Sequence, residues 1–529
     1  MWGVKLRGIG DNLLILNSVI EEFRAEKKDL YLLFADLEKC FDQLWLKDCI
    51  KEMHEAGMPA GEALYIYYMN KEVNAVVDTP VGKTARFKLE EIVRQGTVSA
   101  VDMCGVSTDK INKIGEETGL RISGVEIQYP VYVDDMLGMG SGDMIKDMEP
   151  KMQVLEETKR FTFNNDRGKT EIMEMIFDKK EKERTRPEIT VKKGIVGYTE
   201  SYKYMGDQYN KTGKNKPKIE EKMEKSKYIA SEVKRQGSYI RVGEADTSIR
   251  FMLLETVVKP TLLFNTETWI NINKEEIKMI DQAHYEVLKR VFEQRDSTPY
   301  YGILMETGYW PFSYVIVYKR LMFFHHLIHS EERRIARKLV RNQMEEQKLD
   351  NTWYGGVEEW LVKLELEKNV EEIIKTKKSE WKKEVKEQLE KWVKKEKEEQ
   401  KAKMKKLRFT NTGGKQDYLD QCRMEQVKKI MKVRLNMTEL KGNFKGKYKD
   451  TICPACEKEE ETTEHVIRCP EYQRLTQHSL NKMMEEKGIE EAMNDLQWLT
   501  NAAEEFERIE ETRDWLLGSR KKEERAAAI

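Results

Sequence analysis

Hydrophobic positions follow two regimes along the chain. Over residues 11–26 (DNLLILNSVIEEFRAE), Leu13, Ile15, Leu16, Val19, Ile20 and Phe23 recur at helical spacing, and Asp11 is placed to cap that helix. The next run, Leu30 to Leu37, is apolar except for one carboxylate, Asp36; its length and continuity predict a strand buried on both faces. Residues 45–70 read as helix, 73–93 alternate enough for a strand pair, and 99–116 read as helix again. IQYPVYVDDMLGM, residues 127–139, predicts strand, tight turn, strand, with Asp134 and Asp135 at the tip. Residues 143–165 begin helical and end in a short apolar patch, and 172–206 hold further strand pieces. Beyond residue 216 strand signals fade and long helical stretches dominate. The change at 207–217 (DQYNKTGKNKP) is the best domain boundary, with an α+β part before it and a mainly α part after it.

Composition narrows the class. A chain of 529 residues is too long for one compact domain, and the length suggests three or four. It contains no run of about 18 or more apolar residues, so no membrane span is predicted. Met1 to Gly10 lacks a basic-then-apolar layout, so no secretory signal is read. Seven scattered cysteines fit a reducing compartment better than a disulfide framework. An intracellular location, nuclear or cytoplasmic and not secreted, is the expectation.

The net charge of -1 argues against a uniformly basic polyanion binder, but it sums unlike parts. Residues 375–408 carry fifteen Lys and Arg against seven Glu, whereas 471–529 carry nine against fourteen acidic residues. Within the basic stretch Trp381, Val385, Leu389 and Trp392 fall on one helical stripe. That pattern predicts a solvated helix with one docked face; a phosphate-facing helix is the alternative. KAKMKKLR at 401–408 has the composition of a nuclear import signal, a common pattern on any basic surface.

The strand carboxylates carry the chemistry. A lone charge in a buried strand, as at Asp36, is costly unless something pairs with it. Adjacent carboxylates such as Asp134 and Asp135 repel, which a cation relieves. Mg²⁺ takes oxygen ligands of this kind. Two such ions about 4 Å apart support in-line phosphoryl transfer. Ordinary turn aspartates are the competing reading.

Beyond the carboxylates, FADLEKCFD at 34–42 resembles motif A of reverse transcriptases, particularly those of non-LTR retrotransposons. RQG at 94–96 is similar to their motif B, YVDD at 132–135 to motif C, NNDRGKTEIM at 164–173 to motif D, and YKYMG at 202–206 to the primer grip. The motifs come in the family order over residues 3–210, and the helices that follow, with PTLLFNTETW at 260–269, resemble the thumb.

The resemblance implies an α+β right-hand polymerase: palm with partial fingers over 1–210 and a helical thumb over 216–345. A basic helical linker would follow at 346–410, then a C-terminal helical region over 411–529. It implies RNA-directed DNA synthesis from an RNA template, a DNA primer or target DNA, and deoxynucleoside triphosphates, with two Mg²⁺ ions and no membrane partner. Asp36, Asp134 and Asp135 would form the catalytic triad, with the Leu37 carbonyl as a further metal ligand. Phe41 would exclude a 2′-hydroxyl. Arg94, Gln95, Gly96 and Tyr132 would lie along the incoming nucleotide and template base. Lys169 would stand near the pyrophosphate as a proton donor, and Tyr204 and Gly206 would support the primer terminus. Motif B departs from the family pattern, since Ser99 is followed by Ala100 where the family has proline. Only about 35 residues precede Asp36, so an N-terminally truncated element is expected, and no endonuclease is read in the chain. The rival reading is a remnant that binds nucleic acid without polymerising.

A second cluster lies near the end. Cys453-x2-Cys456-x8-His465-x3-Cys469 has the spacing of a structural Zn²⁺ site. A segment as polar as EKEEETTE buries little apolar surface, so metal binding would supply most of its folding free energy. The same segment resembles the Cys-Cys-His-Cys knuckle that follows the thumb in many non-LTR elements. Cys40, Cys49, Cys104 and Cys422 show no such clustering and read as structural.

Overall fold

The computed structural model describes residues 8–90, 93–94, 97, 99–114, 119–127, 129–132, 135–158, 161–180, 184–239, 246–346, 350–368, 370–448, 450–477 and 479–527. Val133, Asp134, Gln95 and Gly96 therefore lie outside the described residues, and of Tyr132 only the backbone is described. The chain divides into two compact units. One comprises Met1–Glu221, Asn265–Glu276 and Lys319–Lys383; the other comprises Lys222–Phe264, Ile277–Tyr318 and Glu384–Ile529. No helix among the described residues is long and apolar enough to cross a membrane.

The first unit is built on strand β1, Leu30–Asp36. Alternate side chains of a strand point to opposite faces, and both faces of β1 are buried. Leu30, Leu32 and Phe34 pack with helix α1, Ile9–Glu26, through Leu13, Leu16, Ile20 and Phe23. Tyr31, Leu33 and Ala35 join a second core with Met53, Ala63, Ala100, Met103 and Leu155. Asp11 lies within the first turn of α1 and is not its cap; it forms a buried ion pair with Arg334.

The expected helix over 45–70 is two helices, α2 (Leu46–Glu55) and α3 (Ala60–Lys71). Gly57, with φ 104°, and Pro59, the cap of α3, break it. The strand pair expected over 73–93 forms as β2 (Glu72–Ala75) against β3 (Phe87–Glu90). Helix α4, Ala100–Ile114, follows. β4 (Val131–Tyr132) pairs with β5 (Asp135–Gly140), so Asp135, expected at a hairpin tip, is the first residue of a strand, and Asp134 lies outside the described residues. The short helix α5 (Gly142–Lys146) and α6 (Met148–Thr158) then cover the sheet. At Gly138 a Cβ would run into the Met148 sulfur, so glycine there lets α6 lie close to β5.

Strands β6 (Glu171–Met175) and β7 (Gly197–Thr199) complete a five-stranded sheet in the order β7-β6-β1-β5-β4. β1 is antiparallel to both β5 and β6, and β6 runs parallel to β7. A separate hairpin, β8 (Ser201–Tyr204) and β9 (Asp207–Asn210), packs its tyrosines on the α1 face of the sheet. The fold also gathers cysteines that lie far apart in sequence. Cys40, Cys49 and Cys104 share the second core as buried thiols, with the Cys40 and Cys104 sulfurs 3.2 Å apart.

The second unit is helical. Its members include parts of α7 (Lys216–Tyr239), α8 (Lys274–Val291), α10 (Phe312–Ile328) and α11 (Lys378–Lys403), together with α9 (Tyr300–Thr307) and α12 (Met424–Arg434). Short helices α13 (Thr463–Arg468) and α14 (Pro470–Thr476) precede a long α15 (Leu496–Ala527). Glu306 and Arg434 form an ion pair 0% and 1% exposed, and Tyr418 donates to the same carboxylate at 2.7 Å.

On α11, Trp381, Val385 and Leu389 are buried as the stripe predicts, but Trp392 is 36% exposed and Val393 is buried in its place. The buried line runs at every fourth residue, through Val393 to Lys397; on a 3.6-residue helix that spacing advances about 40° per step, so the line winds round α11 instead of following one straight stripe. Lys397 is 3% exposed and donates to the Leu304 carbonyl at 3.0 Å. Burial depresses its pKa from 10.5 to about 8. The unfolded chain therefore binds more protons between about pH 8 and 10.5, and stability rises with pH across that window. Lys397→Met is expected to stabilise the protein at pH 7 by about 2 kcal/mol, after discounting one lost hydrogen bond. The gain should vanish above about pH 10.5, as read by urea unfolding at several pH values.

Candidate active site

Asp36 is the last residue of β1, and its register partner on β5 is Asp135. Residues directly opposed across an antiparallel pair share a face, with Cβ atoms about 4.5–5.5 Å apart. The two carboxylates thus share the face that carries Phe34 and Leu137. Beyond Asp36 the chain makes one bridge, Leu37 to Phe163, closed by the Asn164 amide on the Asp36 carbonyl (2.8 Å) and the Glu38 amide on the Thr162 carbonyl (2.8 Å). This pattern uses the Asp36 carbonyl and turns that of Leu37 away from Phe163. The Asp36 amide donates to the buried Thr170 hydroxyl at 3.2 Å.

Lys169 precedes Thr170 in a tight turn, and its amide donates to the Asp166 carbonyl at 3.1 Å. Its ammonium, half exposed, stands 3.5 Å from Asp36 Oδ2. The Lys169 carbonyl accepts from the Tyr202 hydroxyl at 2.6 Å. The Tyr202 ring stacks on Phe34, with centroids 4.0 Å apart and planes within 6°. Tyr204 tilts against the same ring at 5.6 Å. Burial raises the pKa of both tyrosines, and the nearby charge of Asp135 adds to each, so both keep their protons.

The turn joining β8 to β9 is Met205-Gly206, with φ 47° and 85°. Positive φ at both central residues of a two-residue hairpin is the type I′ turn. Glycine accepts this readily, whereas methionine needs outside support. That support comes from Asn265, whose amide donates to the Met205 carbonyl at 3.0 Å. Trp269, fully buried, donates from Nε1 to Asp207 at 3.0 Å. Tyr204 is itself buried, so it holds the turn from beneath.

Two further candidates lie apart from this cluster of contacts. Phe41 is partly buried against the second core. Arg94 donates to the Asn70 side chain at 3.0 Å and to the Met69 carbonyl at 3.3 Å, which ties it to the end of α3. Asp36, Asp135 and Lys169 are brought together, whereas Asp134, Gln95 and Gly96 cannot be placed, being outside the described residues. Sequence reasoning passed over Tyr202 and Thr170. The only signal for Tyr202 was its alternation with Tyr204 in YKYMG.

Comparison with known proteins now bears on this arrangement. Residues 5–209 match the family described as reverse transcriptase (RNA-dependent DNA polymerase). A Retrovirus-related Pol polyprotein from type-1 retrotransposable element R2 of Nasonia vitripennis is 23% identical over 226 residues. The match covers 40% of this chain and 21% of that protein, so the chain spans about a fifth of its relative's length. Residues 5–209 are a reverse transcriptase domain of the non-LTR retrotransposon kind. Among solved structures, telomerase from Candida albicans, in complex with a TWJ fragment of telomeric RNA, is 12% identical. That likeness has a TM-score of 0.29, covers 55% of this chain and 52% of the other, and carries no further argument. Asp36, Asp135, Lys169 and the Met205-Gly206 turn all fall inside the matched segment.

In the second unit, the ligand atoms of Cys453, Cys456, His465 and Cys469 all lie within 4.8 Å of one another. Thr462 caps α13 by accepting from the His465 amide at 3.1 Å, which orients the histidine. Cys469 is the cap residue of α14. Amides of Ala455 and Cys456 point at the Cys453 sulfur, and those of Glu471 and Tyr472 at Cys469. Burial still pushes both of those thiols up. Burial also opposes ionisation of Cys456, but the Lys458 and Glu459 amides outweigh it and hold that thiol below its usual value. Beneath the cluster Glu461, fully buried, takes Arg513 Nε at 3.2 Å, the Tyr472 hydroxyl at 2.7 Å and the Lys441 amide at 2.8 Å.

Gly206→Ala should lower domain stability by about 1–2 kcal/mol, the cost of forcing a Cβ into the left-handed region. A thermal melt checks this, and a neutral result would mean that the turn relaxes to another type.

Proposed function

We propose that the reverse transcriptase domain catalyses RNA-templated addition of deoxynucleotides to a primer 3′-end. The observation that carries the reading is the convergence of Asp36, Asp135 and Lys169 at one end of the sheet, with the primer-grip turn anchored on the same face. Two carboxylates on one face repel, and a half-exposed lysine at 3.5 Å offsets that only in part. Asp36, Asp134, Asp135 and the Leu37 carbonyl make an all-oxygen donor set that suits Mg²⁺. Two such ions supply activation of the primer hydroxyl and neutralisation of the leaving pyrophosphate.

The chain's own residues do the positioning. Lys169 donates a proton to the departing phosphate, within reach of the metal-binding carboxylate it pairs with. Phe41 limits the room beside the sugar and disfavours a 2′-hydroxyl. Arg94 is tied to the end of α3, and Gln95, Gly96 and Tyr132 would lie along the incoming nucleotide, as the family resemblance implies. Tyr204 and Gly206 present the turn on which the primer terminus rests.

Primer extension on an RNA template with Mg²⁺ tests this. Wild type should extend, and Asp36→Asn should lose at least about 100-fold in rate, as expected when several kcal/mol of charge stabilisation are removed. No extension by wild type with retained RNA binding would favour a non-catalytic binder. Binding should weaken steeply between 50 and 200 mM salt, which a gel-shift titration reads.

The Cys453, Cys456, His465 and Cys469 cluster would hold one structural Zn²⁺. Three thiols and an imidazole are the ligands that ion prefers, and a Zn–S bond of about 2.3 Å places tetrahedral sulfurs about 3.8 Å apart, within the observed spread. One zinc per chain by elemental analysis, lost in Cys453→Ser, is the expected result. Chelation should lower the melting temperature of wild type and leave that of Cys453→Ser unchanged.

A further inference from the structure

We infer that Tyr202 is a positioning residue that holds the Lys169 turn against Asp36. This rests on the polymerase reading and deepens it. Two contacts of one side chain, together with its place in the chain, carry the inference. Its ring lies flat on Phe34, two residues before Asp36 on the same strand and therefore on the same face. Its hydroxyl reaches the Lys169 carbonyl at 2.6 Å, a short bond for an O–H donor. Its own strand, β8, leads directly into the Met205-Gly206 turn.

Lys169 needs such a brace. Its side chain is 49% exposed and approaches Asp36 at 3.5 Å. A pair that exposed contributes little to its own geometry. The turn below it is closed by the Lys169 amide on Asp166 and by the Thr170 amide on Asn164 at 3.0 Å. Neither bond links the turn to the primer-grip hairpin. The Tyr202 hydroxyl does, and it fixes the backbone from which the ammonium is aimed. Because burial keeps the phenol protonated, the bond persists across the working range of pH. One ring thus joins the metal-binding strand, the proton-donor turn and the primer-grip hairpin. Displacement of the hairpin by a mispaired primer would be felt at Lys169.

Tyr202→Phe removes the hydroxyl and keeps the stack, so the fold is retained. The test is a double-mutant cycle in single-turnover nucleotide incorporation, comparing wild type, Tyr202→Phe, Lys169→Ala and the double variant. Tyr202→Phe should slow incorporation about 5–10-fold, with nucleotide and primer–template affinity unchanged, as for an interaction expressed in the chemical step. The double variant should be no slower than Lys169→Ala alone. Multiplying effects, or a Tyr202→Phe rate equal to wild type, would overturn the inference. A second readout is independent of activity: acylation of Lys169 by an amine-reactive ester, followed by peptide mass spectrometry. Labelling should rise several-fold in Tyr202→Phe; unchanged labelling would sink the inference. If wild type fails to extend primers, the polymerase reading falls while the labelling arm still decides the role of Tyr202.

Discussion

Strand β1 is the constraint on which the first unit depends. It is buried on both faces, so its register against β5 and β6 cannot slip by one residue without exchanging the two cores. Leu32, Leu33 and Phe34 are 0–1% exposed, and each such side chain contributes roughly 1.5–3 kcal/mol when fully buried. That packing is what brings Asp36 opposite Asp135. A charge at the end of such a strand is tolerable because the strand stops there: the Asp36 side chain is partly exposed at the strand's end, while its amide and carbonyl stay bonded to Thr170 and Asn164. The carboxylate pair is thus placed by apolar burial of the strands that carry it.

The β8–β9 hairpin depends on the same strand. Tyr202 and Tyr204 both rest on Phe34, and Asn265 and Trp269 fasten the turn from another part of the chain. A methionine at φ 47° costs something, and the surrounding bonds over-determine it. Such strain next to a carboxylate cluster fits a segment whose position matters more than its local comfort.

Much of this was legible in sequence, for a physical reason. Two-faced burial leaves an unbroken apolar run, so β1 and its single aspartate were visible in Leu30–Leu37. Period-2 and period-3.6 patterns marked the hairpin around Asp135 and the helices α1 and α4. The cysteine-histidine spacing announced its cluster because all four ligands are local. What the pattern could not carry was anything long-range. The convergence of Tyr202 with Lys169 joins residues 33 apart, and the meeting of Cys40 with Cys104 joins residues 64 apart. Arg94 looked like part of a motif, and its tie to Asn70 depends on where α3 ends. Four of the five passages between the two compact units fall inside α7, α8, α10 and α11, where composition does not change, and the fifth lies at Phe264–Asn265. No linker-like stretch could reveal them.

The second unit solves a different problem. Its segments are rich in lysine and glutamate, and its helices come from distant parts of the chain. Apolar stripes alone would allow several pairings of such helices. Glu306 with Arg434 and Glu461 with Arg513 are each at most 2% exposed, and each carboxylate also takes a tyrosine hydroxyl. Buried pairs of this kind add little net stability, because desolvation offsets much of their attraction. They are costly to leave half-made, however, so any arrangement that separates the partners is strongly disfavoured. The Glu461 network matters most near the cysteine-histidine cluster, where α14 and α15 meet a segment with little apolar surface. Tyr472 follows Cys469 by three residues and bonds the same carboxylate as Arg513 of α15. The cysteine-histidine cluster and the long C-terminal helix are therefore joined through one buried charge, Glu461.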